Sequence, residues 1–229
     1  MEMAYRDTYD MGLRNYMTSI YNLMLMGLLA SAGAAWFAGA SGMLEVLKQG
    51  GLLFWLVALS PLGLVIAMSF GVERMKVSTL HALYWAFVII EGLGLSVILS
   101  RYTGGSVLMA FLASAVGFAG CSLYGYTTKR NLGPIGSFLI FALFGLIALM
   151  ILNIFIPSTG LNLFIGIAGI LIFAGLTAWD TQSLKEAYSA NMDSDTQGRI
   201  VVMGALNLYL DFLNMFLFIL RFVGVKTDD

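Results

Sequence analysis

Of the chain's 229 residues, 59% are hydrophobic and 11% charged, with a mean hydropathy of +0.87. Soluble domains carry about 25% charged residues, so the composition excludes one and predicts an integral membrane protein. A formal net charge of −1 offers nucleic acid no basic face, and one cysteine (Cys121) with one histidine (His81) makes neither a disulfide nor a metal cluster.

The N-terminal run MEMAYRDTYDMGLRNY is polar and acidic. It lacks a basic region followed by an apolar core and a small-residue cleavage site, so no cleaved signal peptide is predicted and residues 1–15 read as a tail. Beyond it, charges mark the ends of spans. None falls between Arg14 and Glu45, between Lys48 and Glu73, or between Arg101 and Lys129. Each gap exceeds the roughly 20 residues that a membrane-crossing helix needs. Lys76 to Arg101 contains only Glu91, and Arg199 to Arg221 only Asp211. The gap from Arg130 to Asp180 is too long for one helix, and Pro157 in NIFIPSTGLN divides it.

The prediction is an all-α integral membrane protein of seven transmembrane helices, at about 16–39, 51–70, 79–99, 104–126, 135–156, 161–182 and 200–223. These form one transmembrane domain, 16–223, followed by a short tail, 224–229. Small residues such as Gly92 with Ser96, Ala113 with Gly117, and Gly166 with Gly169 mark close helix approach. With an odd number of spans the termini lie on opposite sides. Arg6, Arg14, Arg74, Lys76, Lys129, Arg130, Lys185 and Arg199 share the N-terminal side, against Lys48, Arg101, Arg221 and Lys226 on the other. That bias predicts a cytoplasmic N-terminus.

Few residues inside the spans can carry chemistry. Asp211 lies near the middle of the last one, where a carboxylate costs about 2.5–3.5 kcal/mol even on lenient insertion scales. Steps of three and four give Gly204, Asn207, Asp211, Asn214, Phe218 and Arg221, a mostly polar face unsuited to lipid. Asn207 and Asn214 thereby join Asp211 as candidates for an ion or proton pathway. The alternative is a buried carboxyl satisfied by Asn207, Asn214 or backbone donors. Asp180, in GLTAWDTQSLKEAY, reads either as an interfacial acid or, if the sixth helix continues through LKEAYS, as an interior one with Thr177 a turn before it. Two carboxylates sharing a site cannot both ionise cheaply, so an approach of Asp180 to Asp211 makes a pH switch. Glu91, in FVIIEGLGLS, is a further pathway candidate or a satisfied buried glutamate. Arg74, in SFGVERMK, is a topology-setting base or a counter-ion that latches the inner end of the bundle through a carboxylate. His81, the single histidine, reads as a tolerated interfacial residue rather than a sensor.

The segments SLYGYTTKR, GLTAWDTQSLKE and MGALNLYLDFLNMFLFILRF resemble bacterial members of the Bax inhibitor-1 family, the transmembrane Bax-inhibitor-motif proteins. The resemblance covers nearly the whole chain. It implies a bundle with the last helix central and six around it, and a pH-sensitive calcium leak across the bacterial inner membrane. It also implies a protonatable aspartate pair, which maps onto Asp180 in AWDTQ and Asp211 in LYLDF, and a latch arginine, which maps onto Arg74. An acidic residue that some members carry in the second helix has no counterpart in LSPLGLVIAMSF, and Glu91 is not part of the mapped pattern.

The leading expectation is therefore passive calcium movement, with Asp180 and Asp211 as weak, transient metal contacts, since carboxylate and carbonyl oxygens suit a hard cation. No phosphate loop is present to couple transport to ATP. No enzymatic activity is expected, and no cofactor beyond calcium as the transported ion; the partners are calcium, protons and membrane lipid. The resemblance implies an alternative, modulation of a membrane-anchored ATP-dependent protease, with Arg6, Asp7, Asp10 and Arg14 as the cytoplasmic handle. A retinal pump is excluded because Lys226 lies beyond the last span, leaving no Schiff-base amine.

Overall fold

A bilayer offers no water to backbone N–H and C=O groups, so a spanning segment must satisfy them within itself, as an α-helix does. The computed structural model describes residues 2–227, with side chains from Asp10 onward. Eight helices account for the regular structure of the described residues: α1 (Glu2–Ala40), α2 (Met43–Lys48), α3 (Leu52–Gly71), α4 (Val77–Leu99), α5 (Gly104–Thr127), α6 (Gly133–Phe155), α7 (Thr159–Ala187) and α8 (Ser194–Val223). Seven are long and apolar enough to cross a membrane. The eighth, α2, falls between the first two predicted spans.

Local chemistry sets the breaks. Gly42, at φ 81°, turns the chain out of α1 in a left-handed conformation that a side chain would resist. Pro157 separates α6 from α7, as the sequence predicts, and Pro134 occupies the first turn of α6, where a missing N–H costs nothing. Asp193 caps α8: its Oδ1 accepts from the backbone N–H of Asp195 at 3.1 Å and of Thr196 at 2.9 Å.

The described residues of both expected tails are structured. Residues 2–15 continue into the first span as one helix, α1. Beyond α8 the chain is docked on the start of α5, where Thr103 N–H donates to Val225 O at 3.0 Å and Val225 N–H to Ser106 Oγ at 2.9 Å.

The chain divides into two compact units. The first holds the chain to Arg101 together with Tyr188–Tyr209, and the second holds Tyr102–Ala187 together with the chain from Leu210. In the first, α1 and α4 run parallel: the Tyr84 hydroxyl donates to Leu23 O at 2.9 Å, and further along the Ser31 hydroxyl lies 2.7 Å from Val88 O. A Cβ on Gly92 would run into the backbone of Ser31, so that glycine permits the contact, as its small-residue spacing suggests. In the second, Leu146, Ile165, Ile172, Phe173, Leu176, Met215 and Phe218 form an apolar core among α6, α7 and α8. Helix α8 contributes to both units. Of its apolar window 61% is buried, against 6–44% for the other long helices.

Candidate functional site

The sixth span runs to Ala187, which places Asp180 seven residues inside the end of α7. Asp211 lies 17 residues from the start of α8. For the two to meet, the six residues 188–193 must offset about ten residues of helical rise, roughly 15 Å, which is within their reach of about 20 Å. They do meet: the carboxyl groups of Asp180 and Asp211 share a hydrogen bond. An ionised carboxylate only accepts, so this bond requires a proton on one of the two. Asp211 is 4% exposed and Asp180 half-buried. The Oδ2 of Asp211 has no hydrogen-bond partner among the described residues.

The neighbours expected to satisfy Asp211 are occupied or turned away. Asn214 Nδ2 donates to Leu210 O of its own helix at 2.8 Å, and Asn207 is exposed. Thr177 Oγ1 donates to Phe173 O at 2.7 Å, so its proton is not offered to Asp180. The polar face read from the sequence is in fact two adjacent rows. Gly204, Asp211 and Phe218 are buried, whereas Asn207 and Arg221 are exposed and Asn214 is half-buried. The rows lie about 60° apart on the helix, and the edge of burial falls between them.

In the same unit, aromatic rings pack between helices. Phe212 packs edge-on against Phe111 and Phe118, with centroids 5.5 and 5.7 Å apart. Phe218 stacks on Phe173, and Thr181 and Ser122 hydroxyls lie 3.1 Å apart in the buried α5–α7 contact. Two residues beyond Asp180, Gln182 Oε1 accepts from Leu132 N–H at 2.7 Å, and its Nε2 donates to Arg130 O at 2.8 Å. Lys185 Nζ donates to Tyr126 O at 2.7 Å and sits 5.1 Å above the Tyr126 ring. Sequence reasoning missed Gln182 and Lys185, because polar residues near a helix end carry no special signal.

The other expected residues lie apart from the pair. Arg74 is exposed in the turn after α3 and forms no ion pair among the described residues. The base that touches this turn is Arg199, whose Nε donates to Met75 O at 3.2 Å. Glu91 is half-buried in the middle of α4, and His81 is half-buried near its start. At the opposite end of α8, Arg221 donates to Asn162 Oδ1, which also accepts from Asn153 Nδ2 at 2.9 Å. Asp10 and Arg14 are exposed on α1, while the side chains of Arg6 and Asp7 lie outside the described residues. Among the described residues no three His, Cys, Asp or Glu side chains converge as a metal site.

These features define the class: a multi-pass helical membrane protein with a carboxyl pair inside its spans. The sequence model of the family described as "Inhibitor of apoptosis-promoting Bax1" matches residues 13–228, and the chain belongs to this Bax inhibitor-1 family. It is 41% identical over 231 residues to an uncharacterized protein of Caulobacter vibrioides, covering 96% of this chain and 92% of that one. It is 36% identical over 216 residues to YbhL of Escherichia coli, named an inner membrane protein, covering 93% and 92%. A membrane protein of Streptococcus pyogenes is 32% identical over 218 residues, covering 94% of each.

Proposed function

We propose that the chain is a passive calcium leak of the bacterial inner membrane, gated by the protons held on Asp180 and Asp211. The observation that carries this reading is the hydrogen bond between the two carboxyl groups, one of them 4% exposed. With one proton the pair has a single negative charge and ties α7 to α8. With none, two carboxylates repel at contact in a low dielectric, where charges interact far more strongly than in water. With two, the charge that attracts a cation is gone. Each change in proton count alters both the α7–α8 contact and the field along the route. Calcium takes six to eight oxygens in a tight site, more than two carboxyl groups supply, so passage is favoured over retention.

The test is calcium flux into liposomes holding the purified protein, measured across pH. Flux that varies with pH is expected. Asp180→Asn and Asp211→Asn should each flatten that variation, and the double variant should add little to either, because the residues act as a unit. A full pH response in both single variants refutes the gate, and no flux in the unaltered protein refutes the leak.

A second reading, modulation of a membrane-anchored ATP-dependent protease, takes its support from α1. Its 39 residues extend roughly 58 Å, about twice the hydrocarbon thickness of about 30 Å. In this reading the excess length serves as the handle. Deleting residues 2–9 should abolish an effect on the protease while sparing ion flux.

A further inference from the structure

The first unit contains an intramembrane acid that the carboxyl pair does not use. Glu91 lies eight residues, about 12 Å, from the nearer end of α4. It is half-buried, and among the described residues it makes no hydrogen bond. Steps of three and four place it on the face of α4 that carries Tyr84, Phe87 and Val88. Against that face sits Tyr209 of α8, fully buried, its ring 5.5 Å from Phe87 and its hydroxyl 2.7 Å from Ser31 Oγ. The Glu91 carboxyl is within electrostatic reach of that hydroxyl.

The protons around Ser31 can be accounted for. Its oxygen lies 2.7 Å from Val88 O, 3.1 Å from Gly27 O and 2.7 Å from the Tyr209 hydroxyl. Carbonyls only accept, so the single serine proton goes to them, and Tyr209 must donate to Ser31. The tyrosine proton is thus given to a neutral acceptor, while a stronger potential acceptor, Glu91, lies about one helical turn beyond Val88 on α4 and lacks a donor. A carboxylate forms hydrogen bonds roughly twice as strong as a neutral oxygen does.

We propose that Glu91 and Tyr209 form a second proton-binding site, in which ionisation of Glu91 draws the Tyr209 hydroxyl from Ser31 and loosens α8 from α1. Glu91 releases its proton through its exposed side. Tyr209 keeps its own and only redirects it. Few other ionisable groups face this position. Helix α3 carries none, α1 presents Ser31 and Ala34 at this level, and α2 brings Glu45 and Lys48, paired with each other at 3.4 Å. From α4 itself there is Tyr84, whose proton is held by Leu23 O. The proposal does not rest on the calcium leak.

The test is infrared difference spectroscopy of the full-length protein between acidic and basic pH, reading the carbonyl band of protonated carboxyls. A component of that band should be lost in Glu91→Gln, yet survive in the Asp180→Asn, Asp211→Asn double variant. Tyr209→Phe, which keeps the ring against Phe87, should shift that component by removing its hydrogen-bond partner. An unchanged carboxyl band in Glu91→Gln overturns the site. Loss in Glu91→Gln with no shift in Tyr209→Phe overturns the role of the tyrosine. Amide bands in the same spectra report whether each variant is folded. Loss of the component in the aspartate double variant would assign it to the other pair and also overturn the proposal.

Discussion

Gln182 is 5% exposed, and its side-chain amide serves as a substitute peptide for the α5–α6 turn. The Leu132 N–H and the Arg130 carbonyl have no backbone partner there, and unpaired buried groups are costly. Gln182→Leu keeps the bulk but leaves the buried Leu132 N–H unpaired, at about 1–3 kcal/mol, while the carbonyl of exposed Arg130 turns to water. The expected outcome is a lower unfolding temperature in detergent, with faster hydrogen exchange at Leu132; unchanged exchange there would refute the role. Gln182→Glu keeps the acceptor and loses the donor, so its effect should be smaller. Asp211 is the opposite case in legibility. One charge within 20 apolar residues is conspicuous, whereas a glutamine near a helix end is not, and only the fold reveals its two partners. The contact of Asp180 with Asp211 also needed the structure, since it depends on how far α7 continues and where α8 starts.

At the scale of elements, burial sorts residues that spacing alone groups together. The small pairs Ala113–Gly117 and Gly166–Gly169 follow the same pattern as Gly92–Ser96, yet a Cβ on Gly117 or Gly166 would meet only ordinary contacts, at 3.4 and 3.7 Å. The tight crossing of α5 and α7 is instead at Gly125, where a Cβ would collide with the carbonyl of Ala178. Gly125→Ala should therefore destabilise by about 1–3 kcal/mol, measured as reduced thermal stability in detergent, while Gly117→Ala should be tolerated. Helix α2 escaped the sequence because six residues between glycines show no periodicity. The start of α8 has a pH dependence of its own. Backbone N–H donation from Thr196, then Asp195, holds the Asp193 carboxyl below the usual carboxylate range. A depressed carboxyl contributes stability above its unfolded-state value and loses it as pH falls through the folded one. Hydrogen exchange in the first turn of α8 should therefore accelerate under acid conditions, and Asp193→Ala should show the accelerated rate at neutral pH.

For the whole molecule, seven spans were legible because gaps with at most one charge and Pro157 mark their ends without reference to packing. The division into two units was not, since it follows from which helices touch. Orientation rests on the distribution of basic residues. A reporter placed before Met1 should be cytoplasmic and one after Asp229 external; both on one side would overturn the arrangement. Helix α8 also bears on biogenesis. It is synthesised after every other helix, yet each unit includes a portion of it. The helices α1–α4 are complete by Leu99, but their unit lacks residues 188–209 until α8 is made. The span that carries Asp211, with its penalty of about 2.5–3.5 kcal/mol against lipid, is thus synthesised after the span that carries Asp180. Entry of the last helix and closure of both units coincide, and a chain arrested before residue 194 would leave two assemblies open for quality control to find.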